Sequence, residues 1–133
     1  MTIVVYTNNW KLSYGDYIYA KTSQCVALGL CDLEKNLAGI AHLHSNSNHE
    51  EILDEFIQSF LKNSSKKYDV ILSGGVNAFV PNYGFIRGEK KAMDVMTYLS
   101  NYKMNITHQD IFTDKVRMLR IDPINHKYSI THL

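Results

Sequence analysis

Apolar residues in this chain gather in short runs separated by turn-forming clusters, and twice the spacing changes to that of a helix. Residues 3–6 (IVVY) and 17–21 (YIYAK) read as strands, with Tyr14-Gly15-Asp16 a turn between them. Residues 25–31 (CVALGLC) form a continuous small-apolar run. Residues 37–44 (LAGIAHLH) return beside it across the polar turn Asp32-Leu33-Glu34-Lys35. The first helix starts at the capping residue Asn48, with Glu51 placed three positions later as in a capping box and Glu50 favoured by the helix N-terminus. Ile52, Leu53, Phe56, Ile57, Phe60 and Leu61 then share one face, and the polar stretch 63–67 ends it.

Residues 68–72 (YDVIL) predict a short buried strand running into Ser73-Gly74-Gly75, and residues 76–85 a looser segment carrying Pro81 and Gly84. A second helix is expected over 89–102, where Ala92, Val95, Met96 and Leu99 keep helical spacing. Residues 105–112, 115–121 and 128–131 close the chain as strands, with a last turn at 123–127. About seven strands and two main helices, with antiparallel hairpins at both ends, predict an α+β fold. The expected form is a layered α/β sandwich of mostly antiparallel or mixed sheet, built as one domain over 1–133.

Composition narrows the function more than the fold. Fourteen Lys and Arg against thirteen Asp and Glu give a net charge of +1, which removes the electrostatic argument for nucleic acid or an acidic membrane surface. No run approaches the ~20 apolar residues of a membrane helix. Residues 1–7 lack the basic start and cleavage site of a signal peptide. Cys25 and Cys31 are too few for a disulfide framework, so the expectation is a cytoplasmic protein with free thiols.

The chemistry that can be read lies in the hairpin. If 32–35 is a four-residue loop, Cys31 pairs with Asn36 and Cys25 lies opposite His42, on the same face. Directly opposed residues have Cβ atoms about 4.5–5.5 Å apart, close enough to share a proton. A cysteine beside an imidazole is the minimum for an activated thiol. Most cysteines in small-apolar strands are inert core residues, which is the reading for Cys31, and a one-residue slip would separate Cys25 from His42. A metal site built from His42, His44, His49 and Cys25 matches no zinc spacing, and no cofactor is called for.

The stretch TSQCVALGLCDLEKNLAGIAHLH resembles the active-site hairpin of the CheD family, the chemoreceptor glutamine deamidases. Cys25-Val26-Ala27, Asp32, Gly39 and His42 match its pattern. Ser73-Gly74-Gly75 with Ala78-Phe79 is similar to its Gly-Gly-Ala segment, and Asp110 and Arg117 stand where it has an acidic residue and an arginine. The resemblance implies a protein-glutamine deamidase with Cys25 as nucleophile, His42 as base and Thr22 as the nearest counterpart of the family's threonine, orienting the imidazole. It also implies a receptor-like protein substrate and a possible CheC-like partner, with no metal or organic cofactor. Ser23-Gln24 replaces the family's Gly-Ser, Tyr19 stands at its threonine position, and Gly88-Glu89-Lys90-Lys91 replaces Gly-x-Arg-Asn. Such drift leaves two alternatives: a deamidase-like effector acting on a host protein, and an inactive CheD-like binding module.

Overall fold

The computed structural model describes residues 1–82, 84–111 and 115–133. Its strands are β1 (Thr2–Val4), β2 (Asn9–Ser13), β3 (Tyr17–Thr22), β4 (Val26–Asp32), β5 (Ala38–Leu43), β6 (Tyr68–Gly74), β7 (Asn77–Val80), β8 (Gly84–Arg87), β9 (His108–Ile111), β10 (Arg117–Asp122) and β11 (Lys127–His132). The helices are α1 (His49–Asn63) and α2 (Gly88–Leu99), the latter extended by a 3₁₀ turn at Ser100–Tyr102. One mixed sheet has the order β1-β3-β10-β11, a second the order β2-β5-β4-β6-β9, and β7-β8 is a separate hairpin. The layered α+β architecture expected from the sequence is the one found.

The five-stranded sheet is the middle layer, and this explains the unbroken apolar runs of β4 and β5. Val26, Leu28, Leu30, Leu43, Val70 and Leu72 point to one side and pack with Leu53, Phe56, Ile57 and Phe60 of α1 and Ala92, Val95 and Leu99 of α2. Ala27, Cys31, Ala38, Ile40 and Ile71 point to the other side and meet Ile18, Ala20, Leu119 and Ile121 of the four-stranded sheet. Alternation of this kind leaves both faces of a central strand dry. Gly29 faces the four-stranded sheet at close range: a Cβ there would lie 2.9 Å from Leu119 Cδ2 and 3.0 Å from Ile121 Cδ1.

Helix α1 begins as expected, since the Asn48 side chain accepts from the Glu50 N–H at 3.2 Å. The bond is an N-cap rather than the reciprocal box with Glu51. The N-terminal region departs further from expectation. β1 and β3 do not form a hairpin; they run parallel, and β2 lies between them in the chain but belongs to the other sheet, beside β5. Strand β2 is an edge strand whose apolar residues are only Trp10 and Leu12, too short an apolar signal to distinguish from loop. The expected antiparallel hairpin at the other end is present as β10–β11. The looser segment contains the β7–β8 hairpin. The expected strand end at Phe112 lies outside the described residues, as do the side chains of Ala78 and Phe79.

Candidate active site

The β4–β5 register differs from the sequence expectation by two positions. Asp32 is the last residue of β4, its N–H donating to Leu37 O at 2.9 Å, so the loop is 33–36 and His42 faces Ala27 rather than Cys25. The cause is the Asp32 side chain, which behaves as a strand-end anchor and not as an exposed turn residue. Its carboxylate accepts from Glu34 N, Lys35 N, Ser65 N and Ser65 Oγ at 2.7–2.8 Å. Burial pushes this carboxyl up, but those four bonds outweigh it and hold it below the usual range. A shift of two preserves the face, so His42 and Cys25 stand one diagonal step apart, a separation of about 7–8 Å on a regular ladder.

Cys25 lies in the loop just before β4, half-buried and free. Two β6-side amides fix its backbone: Gly75 N–H donates to Cys25 O at 3.0 Å and Val76 N–H to Ser23 O at 3.1 Å. Gly74 is required here twice over, by its φ of +108° and because a Cβ would lie 2.3 Å from Cys25 O. The start of α2 closes the other side, where a Cβ on Gly88 would lie 2.8 Å from Gln24 O. Burial raises the Cys25 thiol above its ordinary value, and a hydrogen bond with the Thr7 side chain lowers it in part. The resting group is a thiol, not the pre-formed thiolate of an ion pair.

His42 is 5% exposed. Its Nδ1 lies 2.9 Å from Val5 O, and since a carbonyl only accepts, the ring nitrogen there carries the hydrogen. Burial depresses the imidazole's pKa, the Val5 bond opposes this, and His44 adds to it. The ring is therefore neutral near pH 7, with Nε2 as a buried acceptor that has no partner among the described residues. The orienting group is the Val5 carbonyl, supplied by the crossing from β1 to β2, and Asn8 N–H reinforces it by donating to His42 O at 2.7 Å.

Thr22, expected to orient the imidazole, lies on β3 in the facing sheet and is 2% exposed. Its Oγ1 sits against Gly74 and makes no hydrogen bond with the described residues. The registers align two facing rows of side chains at this end of the sandwich. One runs Asn9, His42, Ala27, Ser73 and Asp110 across the five-stranded sheet. The other runs Thr22, Arg117 and His132 across the four-stranded sheet. Asp110 ties the rows together, accepting from the fully buried Arg117 Nε at 3.1 Å and lying 2.6 Å from His132 Nε2. Burial pushes Asp110 up, but the His132 and Arg117 contacts prevail and keep it ionised.

Thr7, Val5 and Ser73 were not expected at the site. Ser73 was legible only as part of the Ser73-Gly74-Gly75 stretch after a strand, while Thr7 and Val5 carry no local signal because they arrive through the crossing between sheets. His44 and His49 do not join the site: His44 Nδ1 accepts from Asn46 N–H, and His49 lies against Lys91 Nζ at 3.0 Å. Among the described residues no three His, Cys, Asp or Glu side chains group as metal ligands. No described helix is long and apolar enough to cross a membrane.

Fold and site together define a layered α+β protein with a cysteine and a neutral histidine at one end of the inter-sheet space. No family model matches this sequence, and no curated protein matches it.

Proposed function

We propose that the chain is a cysteine-dependent protein-glutamine deamidase of the CheD kind, acting in the cytoplasm on a chemoreceptor-like helical protein. The observation that carries the reading is His42. Its Nδ1–H is held by Val5 O while Nε2 stays a buried acceptor, on the strand beside β4 and near the end that Cys25 precedes. A base in this tautomer can take the thiol proton as sulfur attacks the amide carbon. Backbone N–H groups at Gln24 and Cys25 would receive the oxyanion. Collapse of the adduct breaks the C–N bond, the imidazolium gives its proton to the leaving nitrogen as ammonia, and a thioester remains. Water then adds with its proton passing to His42, the C–S bond breaks, the sulfur recovers the proton, and glutamate is released. No step needs a metal or organic cofactor. A CheC-like protein is the partner the same reading suggests.

The test is mass spectrometry of the cytoplasmic domain of a chemoreceptor from the same organism, incubated with wild type and with Cys25→Ala. The expected result is conversion of one or a few glutamines to glutamate by wild type alone. Identical receptor spectra with the two proteins would overturn receptor deamidation. Activity on another protein instead would favour the effector alternative, and a Cys25 inert to every acyl donor the binding-module one.

A further inference from the structure

We infer that Ser73 is a positioning residue that, with Thr22, holds the water consumed in the second half of the proposed reaction; the inference rests on the deamidase reading. Ser73 is fully buried, Thr22 is 2% exposed and His42 5%. Ser73 Oγ, Thr22 Oγ1 and His42 Nε2 each have hydrogen-bonding capacity unspent on the described residues. They are not scattered. His42 and Ser73 both face Ala27, one from each neighbouring strand, so a single methyl group separates them along one row. Thr22 comes from the opposite sheet and reaches the strand end beside Ser73, where Gly74 lets its hydroxyl lie against the backbone.

Buried polar groups in one layer retain their capacity for a common partner, and a bound water is the ligand that two to four such groups hold. The donor set fits: with its hydrogen on Nδ1, His42 only accepts at Nε2, while both hydroxyls donate and accept. Water held there has a proton directed at Nε2 and its oxygen kept by Ser73 and Thr22. That is the arrangement required to attack a thioester on Cys25. The first half of the reaction, attack by sulfur, makes no use of Ser73. Its removal therefore slows thioester hydrolysis and spares thioester formation.

The experiment uses p-nitrophenyl acetate, an activated ester that acetylates reactive thiols, with the whole chain. Acetylation appears as a burst of p-nitrophenol and hydrolysis as the steady rate that follows. Ser73→Ala is expected to keep the burst, to lose about tenfold or more in the steady rate, and to accumulate acetyl-Cys25 in intact-protein mass spectra. Thr22→Val, which preserves shape, is expected to lose several-fold in the same phase, and supplies the test if Ser73→Ala does not fold. Hydroxylamine cleaves thioesters without a held water and should restore turnover in both variants, an outcome that a merely structural role would not produce. A burst followed by an unchanged steady rate in both variants overturns the role of Ser73 and leaves the cysteine mechanism standing. Absence of any burst from wild type overturns the deamidase reading itself, and this inference with it.

Discussion

A cysteine stands near each end of β4, Cys31 within the strand and Cys25 just before it, and the two surroundings could hardly differ more. Cys31 sits inside the strand among Ala38, Ile40, Ile71 and Ile121, fully buried. Burial, with the charges of Asp69, Asp32 and Asp122 nearby, pushes its thiol up to about 12. Cys25 lies one step outside the strand, half-buried and free, its thiol raised by burial and lowered in part by the Thr7 side chain. At the Cys31 end the two sheets close on apolar side chains, so that a Cβ on Gly29 would press on the ends of Leu119 and Ile121. At the Cys25 end the same sheets close on polar groups, several of them without partners among the described residues. Leaving a buried polar group unpaired costs about 1–3 kcal/mol. Several such groups in one place, beside a thiol, therefore call for a shared partner such as the water proposed above.

The largest contrast is in activity. Cys25→Ala is expected to abolish acetylation by p-nitrophenyl acetate, and Cys31→Ala to leave its rate within twofold, read from the p-nitrophenol burst. Loss of acetylation in Cys31→Ala alone would reverse the assignment. The largest effect on stability belongs to the other end. Leu119→Ala, which opens a cavity over Gly29, is expected to lower unfolding free energy by about 2–5 kcal/mol in urea titrations, while Ser73→Ala changes it by less than about 1 kcal/mol.

A smaller effect follows from protonation. His42 is depressed in the folded state, so the unfolded chain takes up a proton first as pH falls below about 6.5. The stability it contributes is complete above that value, declines below it, and stops declining once the folded-state imidazole itself titrates. One such proton gives a slope of at most about 1.4 kcal/mol per pH unit. His49, depressed by burial and by Lys91, acts in the same direction. His42→Gln should therefore reduce the slope of urea-unfolding free energy between pH 6.5 and 5.5, not abolish it. An unchanged slope would place His42 outside the buried layer.

How much of this was legible depends on whether a residue's role is local. The helices were, because Asn48 and the Leu53, Phe56, Ile57, Phe60 stripe are decided within a few turns. The apolar runs of β4 and β5 predicted a buried hairpin, yet its register hung on Asp32, a polar residue whose burial becomes reasonable only once Ser65 arrives from beyond α1. Cys25 and His42 were named from the hairpin alone. Val5, Thr7 and Ser73 were not, since their part in the site depends on the crossing between sheets and on the β4–β6 pairing. Thr22 was placed in the site for a bond to the imidazole that Val5 makes instead.

The most direct test is the pH dependence of Cys25 alkylation by iodoacetamide in Cys31→Ser, with and without His42→Ala. The account predicts a rate that is low at neutral pH, climbs past the ordinary thiol range, and drops about tenfold or more near pH 7 when His42 is removed. A fast, flat rate from pH 5 to 8, or one indifferent to His42, would contradict it.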